Sequence, residues 1–131
     1  MKALRLSGLQ VTKIVYATGM PFVTHAQFVA ENQSAAPITL AVHGVAVQLG
    51  DTIITIASYQ LYLLPDYEEA PDAATALEPG AKYTFEVTFP RVPLAGHSIN
   101  DGIQVRLTVV AGGVETLVIS PVVFTIRTPR R

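Results

Sequence analysis

Residues 81–89, AKYTFEVTF, alternate without interruption: Ala81, Tyr83, Phe85, Val87 and Phe89 fall on one side, Lys82, Thr84, Glu86 and Thr88 on the other. A period of two with one apolar side is a half-buried β-strand, because successive side chains of a strand point to opposite faces. Glu78-Pro79-Gly80 precedes it as a turn, with Pro fixing φ and Gly free to take positive φ. Pro90 ends it, and Pro93 follows closely.

The same period recurs along the chain. In PFVTHAQFVAE, Phe22, Thr24, Ala26, Phe28 and Ala30 share a face, opposite Val23, His25, Gln27, Val29 and Glu31. NQSAAP then turns the chain into ITLAVHGVAVQL, where Ile38, Leu40 and Val42 align. After His43-Gly44 the phase shifts by one residue to Val45, Val47 and Leu49, which predicts a β-bulge or a bend between sheets. DTIITIA, SYQLYLL, GIQVRLTVV, VETLVI and PVVFTIR read as further strands, with Ala111-Gly112-Gly113 as a short hairpin turn. The N-terminal LRL and QVTKIVY read as two strand pieces broken at Ser7-Gly8. Helical periodicity is absent, apart from room for a single turn in DAATALE. Many short strands separated by turn signals make an all-β sandwich, in one domain over residues 1–131.

The bulk properties narrow the partners. A chain of 131 residues is long enough for a real core, burying roughly two-thirds of its extended surface. Nine basic and ten acidic residues give a formal charge of −1, which argues against nucleic acid. The terminal Arg127, Arg130 and Arg131 read as a soluble tail. With no cysteine there is no disulfide, thiolate nucleophile or Cys-based zinc site. Arg5 and Lys13 interrupt the start where a signal peptide needs an apolar core, and no apolar run approaches the ~18 residues of a membrane helix. The expectation is a cytoplasmic protein without membrane contact, although a fragment of a secreted protein would look the same. Half the residues are hydrophobic and 15% are charged, an apolar excess that burial between subunits would absorb.

FVAENQSAAPITLAV resembles the B-strand, turn and C-strand of bacterial immunoglobulin-like domains, with Asn32 in the turn and Pro37 entering the next strand. ALEPGAKYTFEVTF looks like a later strand of the same domains. The spacing is similar to that of CARDB-type adhesion modules and of the Bacillus intracellular proteinase inhibitor family. The resemblance covers roughly residues 22–89 and implies an immunoglobulin-like β-sandwich of about seven to nine antiparallel strands. It also implies a bias toward binding over chemistry. Its matching positions are turn and core positions, so it transfers no functional residue.

Chemistry finds little support in the residues. His25, His43 and His97 form no HxH or HxxxH pair, so exposed or hydrogen-bonded histidine is the simpler reading than a zinc or copper site. Ser58, Ser98 and Ser120 lack the GxSxG context of a nucleophile, and there is no phosphate loop and no HExxH. The expectation is a protein that is not an enzyme and carries no cofactor or metal.

LLPDYEEAPD, residues 63–72, is the exception to the apolar pattern, setting Asp66, Glu68, Glu69 and Asp72 around Tyr67. Calcium would find hard ligands there, but without the DxDxDG spacing or its glycine. Paired acid–base chemistry would need carboxylates held in fixed opposition. A solvated connection guarding a sheet end explains Pro65, Pro71 and the charges. Contact with a partner explains why Tyr59, Tyr62 and Tyr67 crowd beside carboxylates, a favourable combination at protein interfaces. Tyr59 and Tyr62 cannot both be buried, because their separation is odd.

The sequence therefore leads to a non-catalytic protein-binding or structural module that forms a homo-oligomer, expected to be a dimer, with Asp66, Tyr67, Glu68 and Glu69 contacting the partner. A protease inhibitor is the alternative, which asks for an extended exposed loop at 64–80 or 90–102. A carbohydrate-binding sandwich is less well supported, since the chain has no Trp.

Overall fold

In the computed structural model, which describes residues 4–17, 20–90 and 102–121, the chain forms two antiparallel sheets stacked as a β-sandwich. The strands in chain order are β1 (Leu4–Ala17), β2 (Met20–Asn32), β3 (Ile38–Leu49), β4 (Thr52–Thr55), β5 (Gln60–Leu63), β6 (Glu68–Glu69), β7 (Ala74–Leu77), β8 (Lys82–Thr88), β9 (Ile103–Ala111) and β10 (Val114–Ile119). The first sheet runs β1-β2-β8-β5-β6. The second runs β10-β9-β3-β4, with β7 also paired to β3. Most of the strand at 121–127, together with His97, Ser98 and the terminal arginines, lies outside the described residues.

Alternation builds the core as expected. Phe85, Val87 and Phe89 of the AKYTFEVTF segment are buried, and Phe85 stacks on Phe28 of β2 at 5.3 Å between ring centroids. Leu40, Val42, Val45, Val47 and Leu49 of β3 meet them from the second sheet, joined by Val105, Leu107 and Val109 of β9. The shift of phase in β3 is a bulge: Val42 faces Val109 and Gly44 faces Thr108, so His43 is the extra residue. A Cβ on Gly44 would lie 3.3 Å from Thr108 Oγ1, so a small residue lets the strands approach there.

Two sequence expectations are revised. β1 is one strand rather than two pieces, because Gly8, at φ +66°, absorbs an extra residue between the pairs Ser7–Val29 and Gln10–Gln27 without interrupting the pairing. Ten strands are present among the described residues, more than the seven to nine expected, because residues 64–78 contribute two. Glu68–Glu69 pair with β5, and Ala74–Leu77, within DAATALE, pair with β3 after a 3-10 turn at Pro71–Ala73.

Asn32, at the end of β2, ties the two sheets together. It is fully buried, and its Nδ2 donates to the carbonyls of Ala36 and Leu77 at 2.9 Å each. Its Oδ1 accepts from the Ser34 N–H at 2.9 Å and the Ser34 hydroxyl at 2.7 Å. Its backbone carbonyl accepts from Gly80 N–H at 2.8 Å, which fixes the Pro-Gly turn; Gly80 there has φ +76°. One side chain thus holds the β2–β3 turn and the end of β7.

Candidate contact surface

LLPDYEEAPD does not leave the sandwich as a free loop. Leu64 N–H continues the pairing of β5 by donating to Thr84 C=O at 2.9 Å. The chain then reverses through Pro65, Asp66 and Tyr67, and Glu68–Glu69 return beside Tyr62–Leu63 as β6. Ala70 N–H donates to Leu61 C=O at 2.8 Å, and the Ala70 methyl joins the core. From Ala74 the chain belongs to the second sheet, so this stretch crosses from one sheet to the other. An inhibitor's extended loop is therefore not what residues 64–80 form. The other stretch, 90–102, lies mostly outside the described residues.

Pairing decides which of the expected contact residues come together. A row across the outer face of the first sheet runs Gln27, Glu86, Tyr62, Glu69. Tyr67, held at φ +55° and 55% exposed, lays its ring against Tyr62 with centroids 6.4 Å apart and planes tilted by 59°. That is the offset geometry aromatic pairs favour. Tyr62 donates its hydroxyl to Gln60 Oε1 at 3.0 Å, and Gln27 Nε2 donates to Glu86 Oε1 at 3.1 Å. Glu86 is only 5% exposed although it faces outward, because Gln27 and Tyr62 flank it on the adjoining strands.

Tyr67 and Glu69 thus share the outer face with Tyr62. Glu68 faces Leu63, a residue packed against the core, and so falls on the opposite side of the ribbon from Glu69. Asp66 occupies the turn, and Asp72 the 3-10 segment beyond, both exposed. Among the described residues no three His, Cys, Asp or Glu side chains are placed to hold a metal ion. His25 belongs to the first sheet and His43 to the bulge of the second. The Ser120 hydroxyl is buried, accepts from Val105 N–H at 2.8 Å and donates to Pro121 C=O at 3.3 Å, a structural use. Tyr59 turns toward the core and donates to Val42 C=O at 3.1 Å, which leaves Tyr62 as the outer member of the odd-spaced pair.

The sheet order and the tyrosine edge define an antiparallel β-sandwich with an exposed aromatic and acidic border. No family model matches the chain, and no curated protein does. Among solved structures, the apo PmoF2 PCuAC domain is similar over 91% of this chain and 88% of its own, at 14% identity and a TM-score of 0.51. At that identity the likeness is one of fold alone. A FixG-related protein from Vibrio parahaemolyticus covers 92% of this chain and 98% of its own, at 13% identity and a TM-score of 0.41. The archaellum periplasmic stator protein FlaG from Sulfolobus acidocaldarius covers 86% and 97%, at 10% identity and a TM-score of 0.37.

Proposed function

We propose that this protein is a non-catalytic protein-binding module that also associates with itself, and that Tyr67 and its carboxylates make the contact with a foreign partner. The observation that carries this reading is Tyr67: a large ring, more than half exposed, resting on Tyr62 beside Glu69. A ring already held by a neighbour loses little further freedom when covered, which is why pre-positioned tyrosines make efficient anchors. Asp66 and Glu69 then act as an acidic rim that speeds encounter with a basic surface, and Glu68, on the other side of the ribbon, adds its charge to the long-range field.

The test uses the full chain as bait in extract of the source cell, followed by identification of what it retains. The affinity of that protein is then measured for wild type and Tyr67→Ala. The expected loss is at least ~2 kcal/mol. For Asp66→Ser, Glu68→Ser and Glu69→Ser the expected effect is slower association that fades with added salt. Equal affinity of Tyr67→Ala and wild type would remove the surface from consideration.

A further inference from the structure

The borders of the two sheets are not alike. In the first sheet, β1 carries three register irregularities against β2, and β6 is two glutamates long. In the second, β4 and β7 are four residues each. Short strands, bulges and charge are the usual devices that stop a sheet edge from recruiting another strand. β10 has the fewest of them: it pairs with β9 in unbroken register, contains no proline, and carries Glu115 as its one charge. Among the described residues β10 pairs with β9 alone. Val114, Leu117 and Ile119 are 65%, 50% and 44% exposed, which makes three of the five large exposed hydrophobics there residues of this one strand.

We propose that β10 is the seam of a homodimer, pairing antiparallel with β10 of a second copy so that the two second sheets become one. The proposal rests on the self-association just put forward and names its interface. Pairing with β9 sorts β10 into two faces. Val114, Thr116 and Val118 line a groove of about 710 Å³ between β10 and the start of β1, together with Leu4, Leu6 and Val109. Glu115, Leu117 and Ile119 lie on the outer face.

The charges select a second copy as occupant and set its register. Arg106 and Glu115 are the fixed charges at the described strand positions of that outer face. A two-fold axis through Leu117 places Leu117 against its own copy and Glu115 against the partner's Ile119. Ile119 neighbours Arg106 across the β9–β10 pair. Glu115 therefore shares a row with the partner's Arg106, about 10 Å away at two strand spacings, a gap two long side chains can span. The Arg106 guanidinium spends one N–H on Gln48 Oε1 at 2.8 Å and has others to offer. Symmetry repeats the pairing, so both charges of each copy are matched. An axis through Glu115 would instead oppose two glutamates.

Six residues a side is a small seam, so dissociation in the micromolar range is expected. Sedimentation equilibrium of the full chain up to ~500 μM should show dimer; Leu117→Lys should weaken it at least tenfold, by placing a charge at the axis. Because the chain has no cysteine, register can be read directly. Leu117→Cys should oxidise to a disulfide-linked dimer, since Cα atoms directly opposite in an antiparallel pair lie at roughly 4.5–5.5 Å, within disulfide reach. Ile53→Cys, equally exposed but on β4, should not. Glu115→Arg and Arg106→Glu should each weaken the dimer, and together restore it. A wild type monomeric throughout overturns both the seam and the self-association reading. A dimer untouched by Leu117→Lys, with Leu117→Cys no faster to cross-link than Ile53→Cys, overturns the seam alone.

Discussion

Asn32 shows how much one buried amide can carry. Its two N–H groups and two oxygen lone pairs are all used; in Asn32→Ala the Ser34 hydroxyl can still donate to Ala36 C=O, 2.8 Å away, but the Leu77 carbonyl and the Ser34 N–H lose their partner. A cost of roughly 3 kcal/mol or more is expected from urea denaturation. Asn32→Asp keeps the shape but turns a carboxylate toward two carbonyl oxygens, which raises the pKa of that new acid in the folded state. The folded protein then binds the extra proton more tightly than the unfolded chain. The variant should be least destabilised below the ordinary Asp range and lose further stability as pH rises through the raised folded pKa. Tyr67 offers a second residue-scale test, because its backbone sits at φ +55°. Tyr67→Gly should be more stable than Tyr67→Ala by about 1 kcal/mol, since glycine alone is unstrained there. Both should lose the partner equally, which separates backbone strain from contact.

At the scale of elements, β8 is the strand most completely read from sequence. Phe85→Ala should cost ~3–5 kcal/mol and Thr84→Ala little, judged by thermal or urea unfolding, because Phe85 is fully buried between sheets and Thr84 faces outward. The β9–β10 hairpin turns on Gly112 and Gly113, at φ +58° and +81°. Gly112→Asn should therefore be tolerated, while Gly113→Val should be markedly destabilising in the same assay. The bulge at His43 was legible because one extra residue inverts the alternation on either side of it. Gly8 does the same thing in β1, yet a Ser-Gly pair reads equally well as a break, and only the partner strand distinguishes the two. Residues 64–78 were illegible for a related reason: β6 and β7 are held by β5 and β3, and nothing local to Glu68 or Thr75 specifies those partners. Glu86 marks another limit, since alternation gives the face of a side chain but not what stands beside it. At the candidate contact surface the exposure of Tyr67 and its carboxylates could be read; the ring contact with Tyr62 and the parting of Glu68 from Glu69 depend on pairing.

For the whole molecule, the sheet order requires a far-ultraviolet circular dichroism spectrum dominated by strand, and a helical spectrum would contradict the fold. The apolar excess of the composition does reach the surface, on the second sheet rather than on β2. Val29 on β2 is half-buried, while Ile53, Leu117 and Ile119 stand exposed on the second sheet. The irregular register of β1 bears on how far assembly can go. A sandwich with two regular borders is bifunctional and grows into a fibre, each added copy presenting a fresh end. With β1 bent out of register and β10 regular, the proposed seam is, among the described strands, the one border fit for such growth. In the proposed dimer two copies joined through β10 consume each other's regular border, and the outward strands that remain among the described residues are poor templates. In that assembly the bulges of β1 would act as chain terminators, and straightening them, rather than adding apolar surface, is the change expected to turn a closed pair into a polymer.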